Sequence, residues 1–441
     1  MIYAPATKGK KHPMKTTCTI IISGLLFCIV IPLYSQTNDK KIFANSTWSS
    51  FEKKLPPNLF YTSAMISLRD TLQPLHKDTL PLPHKNYLRN DDPAFNRKYP
   101  LLIPILEVPL INGVTWSYDR YVLKAPYANI STTTVKNNFK NGWEWDTDDF
   151  PTNFSLHSYT GSLYFNAARS NGYNFYQSAP FALGGSLMWE LSMENTKPSY
   201  NDLINTTASG IFLGEVLYRL SSAILDDRIT GKSRVLREII GTVIDPVRGV
   251  NRVFQGKTSR IVQKEIYQKE PLSFSVTVGA RQTNDGANFS TGTTSSILDL
   301  NFTYGNPLET RYRKPFDYFR LRADLSFGST HIANNVIGAG FLFGGNMDST
   351  RKMKMLTGGF QHYDYWNTDS FEIGTIGLGG GMIMQLPVSK KSNFKNELHF
   401  AVVPLGASNE RRLAAPDTAT NPHFKNYSYS RRSRDEIFNS F

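Results

Sequence analysis

The sequence is poor in cysteine and in charge: two thiols in 441 residues, and 19% Asp, Glu, Lys and Arg together. The first figure excludes a disulfide scaffold. The second, with 40% hydrophobic and 13% aromatic residues, excludes an acidic disordered chain and a collagen-like repeat. Several catalytic signatures are missing too. There is no G-x-S-x-G elbow, no phosphate-binding P-loop, no dinucleotide fingerprint after a strand and no EF-hand. LGGG at 378–381 falls within a strand-like segment, where a turn or bulge explains it better than a phosphate loop. What is left has room for two or three domains.

The first 35 residues set the destination. Lys8, Lys10, Lys11 and Lys15 precede an apolar run from Ile20 to Leu33, and the small residue Ser35 follows. This reads as a secretory signal peptide over 1–35, its apolar run too short for a permanent membrane helix. Cys28 follows Leu26 and Phe27 rather than small residues, which argues against lipid attachment there. Cleavage after Ser35 removes four lysines, no acids and both cysteines, leaving a net charge of about +9. The mature chain then has no thiol for nucleophilic catalysis, metal binding or cross-linking. Its basic residues carry no nucleic-acid-binding signature, so no nucleic-acid partner is expected. Attraction to anionic lipid headgroups is the simpler reading of the charge.

Residues 36–95 are polar, punctuated by Pro56, Pro57, Pro74, Pro81, Pro83 and Pro93, and read as an irregular leader. The following run, LLIPILEVPLINGVTWSYDRYVL, is apolar but interrupted by Pro104, Glu107 and Pro109. It predicts a kinked helix packed in a bundle rather than a free-standing membrane span. A helical domain is expected over 96–260, clearest from about Ser131. Its best-marked helix follows Pro198, with Ser199 as N-cap and Asp202 three residues on. Along it Ile204, Ala208 and Ile211 form one stripe that continues through Glu215 and Arg219, an ion pair of favourable order on a face meant for burial. Gly210 and Gly214 offer a small surface for a close helix neighbour. A second helix is expected over Tyr176–Glu194, with Ala182, Gly184, Gly185 and Ser186 as its small face. Glu190 and Glu194 lie one turn apart there and repel unless something compensates.

After about Glu270 the period changes to two. Leu272, Phe274, Val276 and Val278 alternate with Ser273, Ser275 and Thr277; Leu298, Leu300, Phe302 and Tyr304 with Asp299, Asn301 and Thr303; and Phe319, Leu321, Ala323, Leu325 and Phe327 with Arg320, Arg322, Asp324 and Ser326. Further strands are expected near 334–344, 351–365, 371–387 and 396–405. The fold class is therefore α+β, with antiparallel strands over 261–441 forming an outer-membrane-type β-barrel of about eight strands. A soluble sandwich or ligand-binding barrel would alternate in the same way. Seven strands are counted, and the tail from Asn426 begins an eighth that then loses its alternation, so the barrel region is expected to be incomplete at its C-terminal end.

The segments GSLYFNAARSNGYNFYQSAPFALGGSLMWE, PSYNDLINTT, GEVLYRLSS, DPVRGVNR and FQHYDYW resemble the domain of unknown function family numbered 3943. The resemblance is dense over about 140–260 and looser through the strands to about 405. It implies an exported outer-membrane protein of Gram-negative envelopes and adds no known reaction. The chain departs from the family's pattern at its end, where further strand is expected.

The helical domain collects the candidate site residues His157, Arg169, Glu190, Asn201, Asp202 and Glu215, with Asn166 and Glu194 beside them. An imidazole and a carboxylate in a partly apolar bundle can act as a proton-transfer pair. No HExxH or Glu-x-x-His spacing supports a metal, and no cofactor is expected. The plainer reading gives Asp202 to capping, Glu215 to Arg219 and His157 to a turn. The expectation is thus an outer-membrane protein, or alternatively a periplasmic one, with lipid or cell-wall material as partner. Its role is structural or ligand-binding, the alternative being an enzyme acting on lipid or cell wall through His157 and one of Glu190, Asp202 or Glu215. A passive pore ranks last, because side chains fill an eight-stranded interior.

Overall fold

The computed structural model describes residues 64–67, 98–145, 152–263, 265–283, 293–309, 313–327, 333–348, 353–368, 371–389, 393–410 and 428–429. The expected signal peptide and most of the expected Pro-rich leader lie outside these residues. Seven α-helices come first: α1 (Leu102–Ser117), α2 (Thr132–Lys140), α3 (His157–Ser170), α4 (Phe175–Ser192), α5 (Tyr200–Ile224), α6 (Gly231–Ile244) and α7 (Pro246–Phe254). Seven strands follow: β1 (Leu272–Thr283), β2 (Thr293–Tyr304), β3 (Phe319–Phe327), β4 (Ala333–Asp348), β5 (Lys354–Asn367), β6 (Phe371–Pro387) and β7 (Asn393–Glu410). The α+β order expected from the periodicity is the order observed.

Local chemistry fixes the helix starts. Ser199 accepts a hydrogen bond from the Asp202 amide at the head of α5, Asn174 and Gln177 form a reciprocal capping box on α4, and Asp245 caps α7 ahead of Pro246. The α1 run continues past Ser117 as a π-helical turn, Tyr118–Leu123. Among the described residues no helix is long and apolar enough to cross a membrane. Instead α1 docks into the bundle: Val108 and Asn112 are buried, and the Asn112 side chain donates to the Gly185 carbonyl at 3.1 Å.

The strands pair antiparallel with their sequence neighbours throughout. Two short pieces extend the edges. Ala64–Ser67, within the Pro-rich stretch, pairs with β1, and Ser428–Tyr429, within the expected partial strand, pairs with β7. Among the described residues the two outermost pieces do not pair with each other, so the sheet is an open series. The LGGG segment lies in β6, next to a bulge between Ile376 and Leu378.

The register puts the alternating apolar residues of β1–β3 on one face, while Phe341, Leu356, Phe360 and Ile383 of the later strands cluster on the other. Val276, Leu300 and Ala323 are neighbours on adjacent strands, as are Phe302, Leu321 and Gly338. The opposite face carries Asp299, Asn301, Arg320, Arg322, Asp324, His362, Glu397 and His399. Across it Arg320 of β3 donates to Glu397 of β7 at 2.8 Å. Four strand steps separate them, about 19 Å on a flat sheet at about 4.8 Å per step, more than the two side chains span together. The sheet therefore curls with its polar face inward.

The helical domain packs against the outer, apolar face. Phe212 of α5 stacks on Tyr363 at 5.8 Å and lies where a side chain on Gly338 would be, within 2.5 Å of a β-carbon built there. The Gln361 amide donates to the Ala208 carbonyl at 2.7 Å, and the Tyr363 hydroxyl to the Phe154 carbonyl at 2.6 Å. One core cluster joins Phe165, Phe212 and Val216 to Tyr304, Phe319, Ile376 and Leu405. Elsewhere the same face is bare: Val278, Phe343, Met347, Leu378, Phe400 and Val402 are about half exposed or more.

Candidate functional site in the helical domain

Helices α3 and α5 run side by side and almost touch. A β-carbon on Gly161 would come within 1.9 Å of the Thr206 carbonyl oxygen, one on Gly210 within 2.5 Å of the Gly161 backbone, and one on Gly214 within 2.7 Å of the Phe165 ring. The small surface expected around Gly210 and Gly214 is a helix-packing surface in this chain. This close approach brings the polar residues of both helices together, and it sorts the candidate residues into two groups.

At the start of the two helices, His157 Nδ1 lies 3.0 Å from the Thr206 hydroxyl and Nε2 lies 3.6 Å from Asp202 Oδ1. Asn201 donates to Asp202 at 3.1 Å and accepts from the Ser199 hydroxyl at 2.7 Å. Glu190 joins the group by accepting the Ser199 amide at 2.8 Å. Glu194 instead accepts from Trp189 and from Thr196, so the two acids one turn apart are each met by donors. All but His157 in the set His157, Glu190, Asn201 and Asp202 are 3% exposed or less.

Arg169 and Glu215 form a separate group near the far end. Asp202 and Glu215 are thirteen residues apart on α5, about 20 Å at the helical rise, so the six candidates do not share one site. Arg169 holds Glu215 through two hydrogen bonds of 2.7 and 3.0 Å. Arg219 donates to Glu215 at 2.7 Å, to Asp317 at 2.8 Å and to the Pro315 carbonyl at 2.6 Å. This buried chain locks the helices to the loop that leads into β3. Glu215 is fully buried, and desolvation alone would raise its pKa. The charges of Arg169 and Arg219 overcome that and hold the carboxyl below its usual range. The expected Glu215–Arg219 pair is present, with two further partners.

The sequence reading missed a third group. Ser170, Gly172, Tyr218, Arg248, Arg252, Lys257, Arg260 and Tyr267 line a pocket beside α7. Arg252 and Arg260 pair with Asp227 at 2.8 and 2.7 Å, and Arg252 also with Glu238. Arg248 lies 4.2 Å from the Tyr218 ring centre, as does Arg169. Lys257 stands 5.0 Å from the Tyr99 ring centre, and burial together with Arg260, Arg248 and Arg252 lowers its pKa to about 7. The local sign was Arg248 and Arg252 one turn apart in DPVRGVNR, a spacing that puts both on one helix face.

Among the described residues no three His, Asp or Glu side chains stand together as metal ligands. Comparison with curated proteins and with solved structures finds no match. Residues 142–247 match the model of the family described as "Domain of unknown function (DUF3943)". That stretch holds all six candidate residues and ends in the first turn of α7, so the match lies within the helical region of the chain.

Proposed function

We propose that the protein is an outer-membrane β-barrel protein, delivered by export, in which the helical domain leans on the barrel wall as a structural or lipid-binding component of the envelope. The observation that carries this reading is the inversion of the sheet. Its inward face carries the charged residues beside a small apolar cluster of Phe341, Leu356, Phe360 and Ile383, and its outward face is apolar, with Val278, Phe343, Met347, Leu378, Phe400 and Val402 exposed. A soluble sandwich or ligand-binding barrel turns the apolar face in. A membrane barrel turns it out and keeps a polar interior. Half-exposed Arg320 and Arg322, paired to the mostly buried acids Glu397 and Asp299, fit a water-lined concavity. Leu102, Leu106, Leu110 and Val114 of α1 are exposed as well, and suit a domain that touches lipid. On this reading the sheet closes on itself, its edges joined through the short strands at 64–67 and 428–429.

The test is envelope fractionation followed by gel mobility of the purified protein in detergent, with and without boiling. Recovery in the outer membrane and a band that shifts on boiling are expected. A soluble periplasmic protein with no shift sinks the barrel. A second reading, an enzyme acting on lipid or cell-wall material, draws on the 3.6 Å approach of His157 to Asp202. It requires that His157→Ala abolish turnover of such material while the boiled-gel shift stays.

A further inference from the structure

The pocket beside α7 holds more positive charge than its neighbours neutralise. Asp227 is shared among Arg234, Arg252 and Arg260, and Glu238 between Arg234 and Arg252. Neither acid reaches Arg248 or Lys257. Arg248 is 4% exposed, and among the described residues its guanidinium donates through Nη1, to the Tyr218 carbonyl and the Ser222 hydroxyl. No carboxylate stands within ion-pair distance of Arg248 or of Lys257 among the described residues. Asp245 interacts electrostatically with Arg248, but burial pushes its carboxyl up to about 7, so it supplies only part of a countercharge at neutral pH. A desolvated guanidinium and an amine held about half protonated at neutral pH by burial and its arginine neighbours thus face one small cavity, with Tyr218, Tyr267 and Ser170 at its walls. Such an arrangement is costly until an anion fills it.

We propose that this pocket binds a phosphoryl group. Arginine forks and a lysine point charge are the donors that suit phosphate oxygens, while the Ser170 and Tyr267 hydroxyls at the rim already donate to the Asn166 carbonyl and to Asp227. The chain around the pocket favours a lipid as its source, a step that rests on the envelope reading above. α7 turns Arg248 and Arg252 inward and Val250, Val253 and Phe254 outward, with exposed Ile261 a few residues on. Exposed apolar side chains beside a basic pocket are the pattern of a helix lying in a lipid interface.

The experiment uses the full chain purified in detergent. Binding of phosphatidylglycerol, with phosphatidylcholine as control, is read by native mass spectrometry, and binding of inorganic phosphate by titration calorimetry. The variants are Lys257→Ala, whose ammonium holds no hydrogen bond that the fold needs, and Lys257→Arg, which restores the charge. Phosphatidylglycerol bound in preference to phosphatidylcholine, weakened at least five-fold in Lys257→Ala and retained in Lys257→Arg, supports the lipid phosphate. Inorganic phosphate binding with the same variant pattern but no lipid preference supports the phosphoryl pocket and overturns the lipid source. Equal binding of both probes by Lys257→Ala and parent, or none by either, overturns the proposal. Boiled-gel mobility scored on the same preparation separates the two readings. Phosphate binding without a shift sinks the barrel alone, and a shift without binding sinks the pocket alone.

Discussion

At the scale of single residues, the strongest constraint is the buried charge chain through Arg169, Glu215, Arg219 and Asp317. A buried pair contributes little net stability, yet removing one member strands the others without solvent or countercharge. Glu215→Gln leaves two guanidinium groups without their shared carboxylate and should cost about 3–5 kcal/mol, read as loss of helical circular dichroism in a denaturant titration. Asp245 behaves oppositely. It caps α7 through one oxygen, while its other oxygen is buried and has no hydrogen-bond partner. Desolvation raises its pKa from 3.8 to about 7 against the pull of Arg248. The folded state therefore binds this proton more tightly than the unfolded chain does. Its stabilising effect is full below about pH 4, falls by at most about 1.4 kcal/mol per pH unit as pH rises, and is gone above about pH 7. Asp245→Asn keeps the cap and should flatten that slope and raise the melting temperature at pH 8. An unchanged slope in thermal melts from pH 4 to 8 would place the pH dependence elsewhere.

For the helices and strands, local spacing was readable and long-range partnership was not. Ser199 announced α5, and Glu215 with Arg219 announced a pair one turn apart, because both signals lie within four residues. Asp317, which completes that pair, lies 98 positions beyond Arg219, and no spacing rule connects them. The pocket was missed for the same reason. Its walls come from three separate stretches, around Ser170, around Tyr218 and from Arg248 to Tyr267, and no spacing rule joins one stretch to another. The glycines mark the boundary of legibility well. Gly184 and Gly185 looked alike in sequence, yet a β-carbon on Gly185 would lie 2.3 Å from the Tyr164 ring, and one on Gly184 meets nothing within 4 Å. Gly184→Ala should stabilise α4 by up to about 1 kcal/mol through helix propensity. Gly161→Ala, which drives a methyl into the α5 backbone, should destabilise by about 1–3 kcal/mol. Parallel thermal melts of the two variants check both signs.

On the scale of the whole molecule, strand alternation gave the seven strands nearly to their ends, because a period of two survives any neighbour. It could not give the direction of curl, which depends on which face holds the longer reach across the sheet. The pair that reports the curl is also the handle on it. Arg320→Glu alone sets two acids against each other across the concavity and should weaken the unboiled gel form. Adding Glu397→Arg should restore it, as the swapped charges meet again. Failure of the double variant to recover would mean that the two strands are held together by other contacts.

The docking of α5 on the sheet also imposes a timetable. The chain makes its helices before the strands that complete them: Ala208 waits 153 positions for Gln361, and the Phe154 carbonyl waits 209 for Tyr363. Until those strands arrive, Phe212 has no wall to rest on and Arg219 lacks its second acid. Contacts so distant along the chain form late in folding. The helical half must therefore travel in an unfinished state and find its final form only when the sheet is laid beside it, so anything that guards it on the way has to let go no earlier than that.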